Sequence, residues 1–154
     1  MRIVREIEDE KKFRALGHAI HHLDATFNRQ FLKEGVKAGL DEVTLMNGWI
    51  LAYLYHHQEK DVYQKTIESA FGCSRSTVTG IVKLMEKKGY IRRESVPGDA
   101  RLKKLVLTEV GIQTHYTVSN ILEHIEEKLV NDITNEELGN FYVIIDKLHK
   151  NLDR

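Results

Sequence analysis

Two amphipathic stretches, "VYQKTIESAF" (62–71) and "SRSTVTGIVKLMEKKG" (74–89), stand almost end to end, separated only by Gly72 and Cys73. Glycine enters left-handed backbone at little cost, so Gly72 ends one helix. Ser74 opens the next, because its hydroxyl accepts a bond from a free N–H of the first turn. The chain must therefore turn sharply between two short helices, with Phe71 expected to close the core beneath the first. The pattern then shifts to "YIRRESV" and "LKKLVLT", partly alternating and separated by "PGDAR". That reads as a hairpin with a turn of about five residues. Two helices around a tight turn, followed by a hairpin, make a winged helix-turn-helix.

The rest of the chain reads as helix, interrupted by a single proline, Pro97. Phe13, Leu16, Ile20, Leu23, Phe27 and Phe31 recur at three- and four-residue spacing, a near-heptad seam over a helix from about Glu8 to Glu34. "WILAYLY" makes a second helix, Thr44 to His57, apolar on most sides. Asp61 is the expected cap of the third helix, and the fourth runs from Ser74 to Gly89. After Thr108 two more helices follow, the last capped by Thr134 with Glu137 at capping-box spacing. The fold class is mainly α: six helices plus a β-hairpin wing. Residues 41–108 form the winged unit, and 8–40 with 109–154 form a helical dimerisation region. The terminal helices carry more apolar surface than so small a unit covers, so a homodimer is the economical assembly.

The chain's 42% apolar residues supply a core, and its 30% charged residues suit a soluble protein. No stretch approaches the ~18 apolar residues of a membrane helix. The segment "MRIVREIEDEKK" lacks the apolar centre of a signal peptide, so a cytoplasmic location and no membrane partner are expected. The formal net charge is zero, yet 61–108 holds ten Lys/Arg against five Asp/Glu. A basic middle between acidic flanks suits nucleic-acid contact on a separate scaffold.

On a helical wheel, Val78, Ile81, Val82 and Met85 share one face of the fourth helix, which faces the core. The opposite face offers Ser76, Thr79, Gly80, Lys83 and Lys87. Gly80 costs about 1 kcal/mol of helix stability relative to alanine, which close approach to another surface would explain. Arg75, Ser76 and Thr77 occupy the first turn, where free N–H groups favour phosphate. Alone, this helix also fits an ordinary solvated face. The adjacent Arg92, Arg93, Arg101, Lys103 and Lys104 favour DNA, with Arg101 suited to a minor groove and its guanidinium held by Asp99.

The stretch Val62 to Gly111 resembles the MarR family of winged-helix transcriptional regulators, through its helix-turn-helix, "LMEKKGYI" junction, "DAR" wing and "LTEVG" helix start. The resemblance implies a homodimer on a palindromic double-stranded operator, generally repressing and released by an effector. Ser74, Arg75, Ser76, Thr77, Thr79 and Gly80 would meet the major groove. Lys83 would reach the backbone, and Arg101, beside Asp99 and Lys103, the minor groove. Gln64 and Lys65 would contact phosphate.

The effector is less determined. An aromatic crevice from the first two helices would draw on His18, His22, Asn47, Trp49 and Tyr53. Pairs such as His18 with His21 or His22, and His56-His57, have metal-compatible spacing but no evident acidic partner, so no metal site is assigned. Cys73, the single cysteine, precedes a helix N-terminus where a thiolate is favoured, so redox sensing is an alternative, but it reads more simply as a small buried turn residue. No GxSxG, GxGxxG, P-loop or HExxH occurs, so neither an enzyme nor a cofactor is expected. A winged helix used only for protein contacts would not need cations on both recognition helix and wing.

Overall fold

The structure, a computed structural model, describes residues 15–153. The expected beginning of the first helix at Glu8, with Phe13, lies outside the described residues. Helix α1 spans Leu16–Lys37, and its inner face is narrow. Phe31 is buried against Leu45, Val118 and Ile125. Gly35 lies so close to Leu45 that a Cβ there would sit 2.2 Å from its Cδ1. Leu16, Ile20 and Leu23 face outward, about half exposed.

The single helix expected over 44–57 is two: α2, Glu42–Met46, and α3, Gly48–His56. Asn47 makes the break. Its side-chain amide donates to the Val43 carbonyl at 2.8 Å, a local bond that competes with the helical ladder. Gly48 then lets α3 approach the long helix that follows the wing, since a Cβ there would lie 3.3 Å from Val118 Cγ1. Asp41 caps α2 by accepting from the Thr44 N–H at 2.8 Å and ion-pairs with Lys88. The Lys88 bond, then that N–H, hold its carboxyl down to about 2.

Helix α4, Gln64–Phe71, starts at Tyr63, not at the expected Asp61. Val62 and Tyr63 are β-formers, and the wing recruits them. The Leu105 N–H donates to the Val62 carbonyl at 2.8 Å, Tyr63 bridges to Lys104, and Asp61 ion-pairs with Lys104 at 2.7 Å. Gly72 ends α4 in the left-handed region at φ 60, and Ser74 caps α5, Arg75–Lys87, accepting from the Thr77 N–H at 3.2 Å. Val78, Val82 and Met85 are fully buried and Ile81 partly so. Each fully buried aliphatic contributes about 1.5–3 kcal/mol, so the expected core face is what fixes α5 in place. Phe71, by contrast, is 42% exposed and packs tilted against Trp49 and edge-on against Tyr53 at the edge of the core.

Strands β1, Ile91–Val96, and β2, Asp99–Leu107, pair antiparallel. Val96 pairs with Asp99, so the turn is only Pro97-Gly98, shorter than expected, with Gly98 at φ +86. Helix α6, Glu109–Leu129, begins at a Thr108 cap, and Gly111 passes the Tyr90 carbonyl where a Cβ would sit 2.0 Å from the oxygen. Helix α7, Asn135–Leu152, has the expected Thr134–Glu137 capping box and no buried residue.

The core forms two clusters. One joins α3, α4, α5 and the hairpin; the other joins α1, α2 and α6. No helix among the described residues is long and apolar enough to cross a membrane.

Candidate nucleic-acid interface

Helices α4 and α5 and the wing enclose an open groove of about 610 Å³. Gln64, Lys65 and Glu68 of α4, Arg75 and Thr79 of α5, and Arg93, Arg101 and Lys103 of the hairpin line it. Sequence-predicted residues from three separate elements thus converge on one surface.

The first turn of α5 is preorganised by its own hydroxyls. Ser74 Oγ bonds Ser76 Oγ at 2.9 Å and Thr77 Oγ1 at 2.8 Å besides capping the helix. Arg75, Ser76, Thr77, Gly80 and Lys83 are exposed. A Cβ at Gly80 would meet nothing within 4 Å, so no contact among the described residues explains the glycine.

The hairpin's five cations divide by partner. Arg92 pairs with Glu94 at 2.7 Å, Arg93 with Glu86 at 3.2 Å, and Lys104 with Asp61 at 2.7 Å. The Asp61 bond raises the Lys104 ammonium pKa, and the Lys104 bond lowers the Asp61 carboxyl. Lys103 donates to Ser95 Oγ at 2.7 Å, and the Arg101 guanidinium has no ion pair among the described residues. The expected Asp99–guanidinium pair is replaced by a bond from the Arg101 backbone N–H to Asp99 Oδ1, 2.9 Å. Two residues apart at the start of a strand, the backbone N–H is nearer to the carboxylate than the end of a long side chain. Asp99 thereby shapes the turn and leaves the guanidinium to face outward. Arg92, Arg93 and Lys104 are structural cations; Arg101 and Lys103 carry the wing's outward charge.

The predicted effector residues do not gather into one cavity. His18 and His22 are exposed on α1, and Asn47 is engaged at the α2–α3 break. Trp49 and Tyr53 join Phe71 and His57 in an aromatic cluster, with His57 stacked on Tyr53 at 4.1 Å. Tyr53 also lines a shallow cavity with Tyr63, Lys65, Thr66 and Leu102. Cys73 is half-buried, its Sγ 3.6 Å from the Phe71 carbonyl.

Sequence reasoning missed one residue. His115 is buried in α6, stacked on Tyr55 at 4.4 Å with His56 5.9 Å away. Burial, then the His56 charge, lowers its pKa, which keeps the imidazole neutral. Tyr55 and Tyr116 share a 2.5 Å hydroxyl contact beside it. Its signal was in the sequence: 111, 115, 118 and 125 follow the apolar periodicity of α6, with a titratable ring at one inward position.

A recognition helix with a bare, hydroxyl-rich leading edge and a wing with outward cations define a DNA-binding transcriptional regulator of the winged helix-turn-helix type. Within that class, the family model that matches the chain is that of the MarR family, over residues 42–102 of the winged unit. Solved structures extend the likeness over nearly the whole chain. The heme sensor protein PefR from Streptococcus agalactiae, in complex with heme, is 29% identical, with 86% of this chain and 88% of that one covered at a TM-score of 0.66. PefR with heme and carbon monoxide is 28% identical, with 93% of each chain covered and a TM-score of 0.69. The S. aureus MepR–DNA complex shares the fold at 22% identity, covering 92% of this chain and 98% of that one, with a TM-score of 0.75.

Proposed function

We propose that the protein binds a palindromic duplex operator as a homodimer and represses transcription until a small molecule releases it. The observation that carries this reading is the convergence of unpaired cations around a bare helix edge. Lys65, Arg75, Lys83, Lys87, Arg101 and Lys103 make no ion pair among the described residues, and Gly80 lies in their midst. Helix α5 would enter the major groove with Ser74, Arg75, Ser76, Thr77 and Thr79 leading. Arg101 would enter the minor groove beside Lys103, while Lys65 and Lys83 would meet phosphate. Residues 41–108 would be the DNA-binding region. Helices α1 and α7, with Leu16, Ile20, Phe141 and Ile144 about half exposed, would supply the dimer contacts. Selection from random duplexes tests the proposal. Enrichment of an inverted repeat bound by two chains supports it; recovery of no preferred sequence sinks it.

We further propose heme as the effector, because His115 has the chemistry for it and PefR is solved with heme. A neutral imidazole keeps the lone pair that would be needed to hold a heme iron, and the ring of Tyr55 offers a flat wall beside it. Bound heme would supply an iron that His115 ligates. Because His115 is buried against Tyr55, entry would require α3 and α6 to shift, and α3 belongs to the core that seats α5. The site built from His18, His22, Asn47, Trp49 and Tyr53 is the weaker proposal, since its residues are dispersed. Hemin titration separates the two. A Soret shift abolished by His115→Ala but kept in Tyr53→Ala supports His115; the reverse pattern supports the other site.

A further inference from the structure

Gln64 sits where α4 crosses α5, half-buried at the floor of the groove. Its amide nitrogen lies 2.5 Å from Thr79 Oγ1, 3.2 Å from Glu68 Oε1 and 3.5 Å from the Arg75 carbonyl. Carboxylate and carbonyl oxygens only accept, so the NH₂ end must face them, and the orientation of the amide follows from its neighbours. Both N–H donors are thereby spent inside the protein. A phosphate oxygen also only accepts, so Gln64 in this orientation has no donor left for DNA backbone.

Thr79 is constrained from the same side. Its hydroxyl donates to the Arg75 carbonyl at 2.7 Å and accepts from Gln64. The hydroxyl proton is fixed within the helix, so towards DNA Thr79 offers its methyl group and one remaining lone pair. Gln64 thus touches the two α5 residues best placed to read bases, one through its side chain and the other through its backbone.

We infer that Gln64 is a positioning residue that sets base selectivity by holding Thr79 and the first turn of α5, and is not a phosphate contact. The inference rests on the DNA-binding reading above. With its hydroxyl held from behind, Thr79 discriminates through apolar contact, which favours the thymine methyl.

The test uses the full-length protein and the duplex selected by the wild type. Affinities are measured for wild type, Gln64→Ala, Thr79→Ser and the double variant. The ligands are the selected duplex, single-base-pair variants of it, the same duplex with each thymine replaced by uracil, and an unrelated duplex. Thermal melting of each variant checks folding. We expect Gln64→Ala to lose about tenfold in selectivity at the base pairs where Thr79→Ser, which lacks the methyl group, also loses it. Binding to the unrelated duplex stays unchanged, and the double variant is no worse than the poorer single one. Wild type should disfavour uracil at one position, a preference that Thr79→Ser abolishes. If Gln64→Ala instead weakens selected and unrelated duplexes by one common factor, Gln64 is a phosphate contact and the inference is overturned. Multiplicative losses in the double variant overturn it equally. If wild type selects no duplex at all, the failure belongs to the DNA-binding proposal.

Discussion

Arg93 of β1 holds Glu86 of α5 across 3.2 Å, so a cation at the base of the wing is neutralised by the recognition helix itself. This bond, with Lys104–Asp61 and Arg92–Glu94, separates cations paired within the protein from the outward ones proposed to meet DNA. Arg101→Ala and Lys103→Ala are each expected to weaken operator binding and to reduce the slope of log affinity against log salt by about 1 for every phosphate left without its cation. Arg92→Ala and Lys104→Ala should leave that slope unchanged and change stability little, because ion pairs this open to solvent contribute little. Fluorescence anisotropy across a salt series, paired with denaturant melts, distinguishes the two groups.

Gly80 predicts opposite effects on folding and on binding. Its Cβ position is open, so Gly80→Ala should stabilise the protein by about 1 kcal/mol. Gly80→Leu should melt no lower than wild type yet lose tenfold or more in operator affinity, roughly the ~1.4 kcal/mol or more that such a factor represents. Normal binding by the leucine variant would place the contact face elsewhere on α5.

His115 makes stability depend on pH. Its folded pKa lies below the ordinary 6.5, because burial and then His56 oppose the charge. The unfolded chain therefore takes up protons more readily, and stability rises with pH through that window. The contribution is present above pH 6.5 and is lost as the pH falls through the depressed folded value. Melting temperatures of wild type and His115→Gln, compared from pH 7.5 downward, should converge on acidification. Parallel curves would mean that the His115 proton plays no part in stability.

The parts of this protein that local chemistry determines were legible in its sequence. Gly72, Ser74 and the Thr134–Glu137 box end or begin helices by bonds within four residues, and the structure has them as expected. The face of α5 was legible for the same reason, since a periodicity of about 3.6 assigns Val78, Val82 and Met85 to the core. What was not legible depended on partners distant in sequence. Asp61 is drawn from its expected cap by Lys104, Phe71 is left at an aromatic edge, and three hairpin cations are claimed by Glu86, Glu94 and Asp61. Counting basic residues overstated the wing's outward charge, because a sequence shows charges and not their pairing.

The outward apolar seams predict the assembly. Ile144 is 53% exposed on a helix with no buried residue. Ile144→Glu should disrupt a dimer without unfolding the winged unit, giving a light-scattering mass near the 17.9 kDa of one chain, against twice that for wild type. A wild-type mass of one chain would contradict the homodimer.

The groove between α4, α5 and the wing, together with the exposed face of α5, is proposed as a DNA surface whose charge comes from Lys65, Arg75, Lys83, Lys87, Arg101 and Lys103. The most direct measurement is the affinity of wild-type protein for its selected operator as salt rises from about 50 to about 200 mM. Two protomers' worth of these cations predicts a loss of about a thousandfold or more, with an unrelated duplex bound far more weakly throughout. Affinity independent of salt, or equal for the operator and the unrelated duplex, would contradict it.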